Sequence, residues 1–247
     1  MNKEKLKEKF LNHAKKYDID IPENNLKLHH SYRVMDISER LAKELNLSKE
    51  NIELATLIGL LHDYSRFEQW NTYHTHNDYI SIDHGDLAVK ILFEDNKIKD
   101  YTTNTKNYKK IYDAIKYHNK LKIPFLINKE NKMFCEIIRD ADKLDIFHII
   151  ANRKNGGGND KINEKIKKYF YQHKTIPHKF IKNKNDKVIQ MLCLVYDYNY
   201  DYSYIYMKEN DFINKMYENT ENKEMFKEYF AYINNYIEEK VKNNSSK

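Results

Sequence analysis

Apolar residues recur three and four positions apart through most of this 247-residue chain, the spacing that lines one face of an α-helix. Between His29 and Leu45, Val34, Ile37, Leu41 and Leu45 share such a face. Ser48 then stands as an N-cap ahead of a second run through Ile52, Ala55, Leu57, Leu60 and Leu61. Residues 1–19 alternate charge with apolar residues at helical spacing, and further helices are predicted over about 82–93, 108–117, 132–151, 161–173, 186–198, 211–217 and 221–242. Helix breakers are scarce. There are three prolines, Pro22, Pro124 and Pro177, and five glycines, three of them consecutive at Gly156, Gly157 and Gly158. Residues 155–160 are therefore the one obvious flexible loop. YDYNYDYSYIYM, 196–207, alternates aromatic and polar residues. With no second strand or hairpin signal nearby, it reads as a helix followed by a loop. The terminal KNNSSK reads as a frayed end. No repeat or long linker sets off a second domain, so the expectation is a single all-α domain over 1–247, with a C-terminal helical extension over about 160–242.

Composition narrows the class. Charged residues make up 32% and apolar ones 40% of the chain, and no run approaches the roughly 18 apolar residues of a membrane span. The N-terminus lacks a signal-peptide core. Cys135 and Cys193 lie in apolar stretches and suggest no disulfide framework. A cytoplasmic location is the expectation. The formal net charge of +6 comes from lysines scattered among glutamates and asparagines. That excess favours an anionic small substrate, but neither nucleic acid nor a membrane is expected as a partner.

Chemistry enters where the apolar pattern is interrupted. LIGLLHDYSRF, 57–67, runs a buried helix into His62, Asp63 and Arg66. Such groups are costly to bury unless a hydrogen bond, an ion pair or a metal satisfies them. His30 opens the first helix, and Asp142 sits in IIRDADKLDIF among Ile137, Ile138, Ala141, Leu144 and Phe147. Two imidazoles and two carboxylates from three helices suit a divalent transition metal such as Mn or Fe. His62 and Asp63 can both reach one ion only if the helix ends there, because successive side chains otherwise diverge by about 100°.

HSYRV at 30–34, LLHD at 60–63 and RDADKLD at 139–145 resemble the H…HD…D signature of the HD-domain metal-dependent phosphohydrolases, over about 28–150. The resemblance implies an HD-like helical bundle with additional C-terminal helices and a metal at His30, His62, Asp63 and Asp142. It also implies attack by a metal-activated hydroxide on a phosphate ester or anhydride, first of all in a small nucleotide. In members with two ions, histidines placed like His84 and His118 are additional ligands, and the aspartate of the HD pair bridges. One or two ions are thus expected. In the other reading, His84 and His118 stay metal-free and bind the phosphate or protonate the leaving group. Asp63, Arg66, His84 and His118 are the candidate catalytic residues.

Arg66 offers either a phosphate fork or a salt bridge to Glu68 or to the surroundings of Asp142. Lys143 is a weaker phosphate candidate. Asp83 and Asp86 bracket His84 as possible acceptors for its free ring nitrogen, or as helix caps. His29 cannot share a face with His30. His74 and His76 fall in a polar loop, NTYHTHND, that reads as solvated, while His13, His148, His173 and His178 lack a partner pattern. Ser65 stands where glycine is frequent in the resembling proteins, and no GYP motif follows. The helices after Gly158 match no signature; they are expected to complete the bundle and shape one pocket wall, with most of their tyrosines in the core. Two alternatives to the enzyme stay open: a non-catalytic nucleotide- or metal-sensing module, and a metal-dependent nuclease, for which dispersed lysines offer no channel.

Overall fold

A computed structural model describes residues 2–245. The fold is all-α: twelve α-helices joined by 3-10 and π turns, with no strand among the described residues beyond an isolated bridge between Asn155 and Thr220. The chain divides into two compact units, 1–142 and 143–247. No helix among the described residues is long and apolar enough to cross a membrane.

In the first unit, α1 (Lys3–Ala14) is capped by Asn2, whose side chain accepts from the Lys5 N–H at 3.1 Å, and it buries Leu6, Phe10 and Ala14. Helix α2 (Pro22–Glu44) starts seven residues before the expected His29. Pro22 occupies the first turn, where its missing N–H costs nothing. His30 consequently lies inside α2 rather than opening it. Ser48 caps α3 (Lys49–Leu61), accepting from the Asn51 N–H at 3.3 Å, and every residue from Leu54 to Leu61 is buried. The two helices approach closely at Gly59, where an added Cβ would stand 2.6 Å from Ser38 Oγ and 2.8 Å from the Val34 carbonyl. Only glycine permits that spacing, and it sets His62 against His30.

Helix α4 (Arg66–Tyr73) was not predicted, because it buries only Phe67 and Gln69 and shows no apolar stripe. Helix α5 (His84–Val89) is capped by Asp83, which accepts from the Asp86 N–H at 3.0 Å, and it passes into a π turn over Lys90–Glu94. Helix α6 (Tyr108–Tyr117) matches its prediction and ends at His118. Helix α7 (Lys129–Ala151) buries Phe134, Ile137, Ile138 and Ala141 before the boundary between the units falls within it. Phe134, Ile137 and Ile138 each contribute about 1.5–3 kcal/mol by their burial.

The second unit holds the last turns of α7 and then α8 (Glu164–Tyr171), α9 (Lys184–Leu192), α10 (Asp201–Glu209), α11 (Phe212–Glu218) and α12 (Lys223–Ser245). The tyrosine-rich segment departs from its reading: a 3-10 turn ends at Asp197, and the helix comes second, as α10, burying Ser203, Tyr204 and Met207. Those positions have helical spacing, which the tyrosines at every second residue concealed. Gly156, Gly157 and Gly158 take φ values of +73°, +116° and +77°, a sequence of left-handed residues open to glycine. Asp186 is buried and accepts from the Asn163 N–H at 2.8 Å and the Lys182 N–H at 3.0 Å. His173 stacks on Tyr196 at 4.8 Å, and Phe170, Tyr229, Tyr232 and Tyr236 surround them. Both cysteines are buried and free. Residues 242–245, read as frayed, belong to α12, while Ser246 and Lys247 lie outside the described residues.

Candidate metal centre

Asp63 is the hub of a buried cluster. Its Oδ2 lies 3.4 Å from His30 Nε2 and 3.6 Å from His62 Nε2. Its Oδ1 lies 3.4 Å from His84 Nε2 and 3.8 Å from His118 Nε2. Asp142 Oδ1 closes the first side, 3.2 Å from His30 Nε2 and 3.8 Å from His62 Nε2. His30, His62 and Asp63 form one group that could hold a metal ion, Asp63, His84 and His118 a second, and His62, His118 and Asp142 a third. All six residues singled out in the sequence meet here. Local structure explains how neighbours in sequence both reach the cluster. Helix α3 stops at Leu61, and the Tyr64 N–H closes a tighter turn on the Leu61 carbonyl at 3.0 Å, so that His62 and Asp63 both lie past the end of the regular helix.

The ring tautomers decide what the cluster can bind. His62 Nδ1 donates to the Gly59 carbonyl at 2.8 Å, His118 Nδ1 to the Ile115 carbonyl at 2.6 Å, and His84 Nδ1 to Asp78 Oδ2 at 2.5 Å. A carbonyl or carboxylate oxygen only accepts, so Nδ1 is the donor in each ring and Nε2 is the nitrogen turned to the cluster. His84 and His118 turn these Nε2 atoms toward each other at 2.8 Å, where two neutral rings would meet as two acceptors. A cation would relieve this repulsion, and imidazole nitrogens combined with carboxylate oxygens suit a divalent transition metal. The residues fit such an ion.

Electrostatics point the same way. Burial, against the pull of Asp63 and Asp142, pushes His62 down to about 3, and burial with the nearby Arg66 charge pushes His84 down to about 4. Both rings therefore stay neutral. Burial alone would raise the Asp63 carboxyl, but the Lys27 ammonium, backed by the Arg66 guanidinium, holds it well below its ordinary range. For Asp142 burial is likewise outweighed, chiefly by the hydrogen bond from His30.

The supporting shell corrects several expectations. Neither Asp83 nor Asp86 orients His84. Asp83 caps α5 and pairs with Lys120, and Asp86 pairs with Lys120 at 2.7 Å. The acceptor for His84 is Asp78, which also receives Asn119 Nδ2 at 3.1 Å, Arg66 Nη1 at 3.1 Å and Gln69 Nε2 at 2.9 Å. Arg66 pairs with Asp63 at 3.3 Å and with Asp78 rather than with Glu68, whose carboxylate is engaged by Tyr17. The His74–Ser81 loop is therefore not simply solvated. Arg66 Nη1 also donates to the His76 carbonyl at 2.9 Å, and the half-buried His76 ring rests against Trp70. His74 and His29 are exposed. Lys143 is engaged by Asp197 at 2.8 Å. Lys27, passed over in the sequence, sits one turn before His30 with its Nζ 2.7 Å from Asp63 Oδ2. With side-chain exposures of 16% and 22%, Lys27 and Asp142 are the open edge of the cluster.

This geometry can be set beside known families. Residues 28–146 match the family model of the HD domain. That segment is an HD domain. The match takes in His30, His62, Asp63, His84, His118 and Asp142, together with Asp78 and Arg66, and it leaves out α1, Lys27 and everything beyond Ile146 in α7. No curated protein and no solved structure matches the chain. HD domains bind divalent metals, and the His/Asp cluster of this one has the donor set for them.

Proposed function

We propose that this protein is a metal-dependent phosphohydrolase acting on a phosphate ester or anhydride of a small nucleotide. His30, His62, Asp63 and Asp142 would hold one divalent ion, Mn or Fe, and Asp63, His84 and His118 a second. The observation that carries the reading is the division of Asp63, with one oxygen toward each histidine pair. A lone ion pair or a polar core cluster has no need of such symmetry. When bound, the ions would supply an activated water and neutralise charge on the phosphoryl oxygens.

The remaining roles fall to the chain's own side chains. The Gly59 and Ile115 carbonyls and Asp78 hold three Nδ1–H groups and so aim three Nε2 atoms inward. Arg66 spans Asp63 and Asp78 and fixes both carboxylates, and the part of its fork left over can meet a phosphate. Lys27, at the open edge, is placed to bind a phosphoryl oxygen entering beside Asp63. The test is a screen of nucleoside mono-, di- and triphosphates and simple phosphate esters with Mn, Fe and other divalent metals, on the native chain and on Asp63→Ala. Turnover is expected in the first and loss of turnover in a folded second. Equal rates in both would refute the reading. Tight nucleotide binding with no product under every metal would replace the enzyme with a sensing module.

A further inference from the structure

Eight large hydrophobic side chains are exposed among the described residues, and five of them, Tyr79, Ile80, Leu121, Phe125 and Leu126, lie in two adjoining loops. Their exposures are 82%, 73%, 80%, 98% and 93%. The loops are tied at their stems: Asn119 Nδ2 donates to Asp78 Oδ2 and to Asp83 Oδ1, both at 3.1 Å, and Lys120 pairs with Asp83 at 2.6 Å. Tyr79 and Leu121 therefore spring from within two residues of one hydrogen bond. The outward pose is built in. Asn77 accepts from the Tyr79 N–H through Oδ1 at 3.0 Å and from Ser81 Oγ through its carbonyl at 2.8 Å, which closes a turn that presents Tyr79 and Ile80. The second loop turns at Pro124, whose carbonyl accepts from the Ile127 N–H at 3.3 Å, with Phe125 and Leu126 at its tip. A clustered apolar patch of this kind marks an interaction surface.

Its form and charge select the partner. Small-molecule sites are concave, whereas these side chains project from loop tips. The tip is flanked by Lys122 and Lys129, both exposed, and no acidic residue occurs between 119 and 129. Lys120 is already neutralised by Asp83 and Asp86. An apolar tip collared by lysines matches the headgroup–acyl boundary of an anionic bilayer. We infer that loops 77–81 and 119–129 form a peripheral docking surface for an anionic lipid membrane. Such a contact needs no spanning helix, so the hydropathy of the sequence gave no sign of it. Because the same loops carry Asp78 and Asn119, docking sets the His84 side of the cluster next to the lipid surface.

Co-sedimentation with vesicles of phosphatidylcholine, with and without phosphatidylserine, tests the inference on the full chain. The native protein should pellet with the phosphatidylserine vesicles, less with phosphatidylcholine alone, and less again at high salt. Phe125→Ser combined with Leu126→Ser should lower partitioning by about tenfold or more, and Lys122→Glu with Lys129→Glu should remove the preference for the anionic vesicles. Both apolar side chains are almost fully exposed, so the melting temperature should not change. Leu121→Ser repeats the test should the double variant prove unstable. Absence of vesicle binding, or equal binding by the native chain and the apolar variants, overturns the inference. Concentration-dependent self-association, lost in the double variant without any vesicle binding, would assign the patch to a second copy instead.

Discussion

Replacing Asp78 with asparagine tests how the cluster is held without touching it. Asp78 accepts four hydrogen bonds: on Oδ2 from His84 Nδ1 and Asn119 Nδ2, and on Oδ1 from Arg66 Nη1 and Gln69 Nε2. Whichever way an asparagine amide is turned, its NH2 faces two donors. Facing Arg66 and Gln69, it opposes a guanidinium that cannot lose a proton. Facing His84, it can be relieved by a shift of the His84 proton from Nδ1 to Nε2, the cheaper outcome. The Nε2 lone pair then disappears from the cluster, and a donor points at the place where an ion would bind. Loss of a partner of this kind costs about 10- to 100-fold in metal affinity, and the loss of hydrogen bonds to a charged acceptor removes about 1.5–3 kcal/mol each before relaxation. Metal titration by calorimetry or equilibrium dialysis should therefore show the His84–His118 side weakened about 10- to 100-fold, with the His30–His62 side within a few-fold of native. The imidazole 15N shifts of His84 should report the exchanged tautomer. Two native-strength metal equivalents in Asp78→Asn, or equal weakening of both sides, would refute the tautomer reasoning.

Lys27→Met removes an ammonium that competes for Asp63 Oδ2. Metal affinity on the His30–His62 side should rise by roughly tenfold while KM for a phosphorylated substrate rises; an unchanged metal isotherm would count against that competition. His13 supplies a pH prediction away from the cluster. Burial pushes this ring down to about 4 from 6.5, and its Nε2 meets the Tyr64 carbonyl at 3.1 Å. The unfolded chain takes up the proton first, so the stability from His13 is fully present above pH 6.5 and is lost as pH falls toward 4. The loss amounts to about 3 kcal/mol. Denaturant unfolding of His13→Gln should show a correspondingly shallower pH dependence across that window, and an equally steep one would remove His13 as its cause.

Much of this was legible in the sequence because helical spacing and the order of the polar interruptions are local properties. Ser48, Leu54–Leu61 and the helix over 108–117 could be read directly, and the six His and Asp residues that meet at the cluster could be named. What escaped depends on distance in space. Asp78 looked like one more polar residue in NTYHTHND, and only the folding of that loop onto α5 gives it His84. Lys27 was invisible because the helix was started too late; once Pro22 is taken as its first residue, position 27 precedes His30 by one turn and the signal is available. Arg66 was named, but its partners were sought among sequence neighbours when the nearest carboxylates are Asp63 and Asp78. The tyrosine-rich stretch failed for a different reason: alternation at every second residue hid the helical spacing of Ser203, Tyr204 and Met207.

The most direct test of the account is the metal content per chain, by elemental mass spectrometry, of protein purified without chelator or nickel resin, with Asp63→Ala alongside. The account predicts two equivalents of Mn or Fe in the native chain and loss from both sides in Asp63→Ala, since its two oxygens serve both histidine pairs. A native chain that holds no metal even after Mn or Fe is added back, or an Asp63→Ala chain that keeps its full complement, would contradict it.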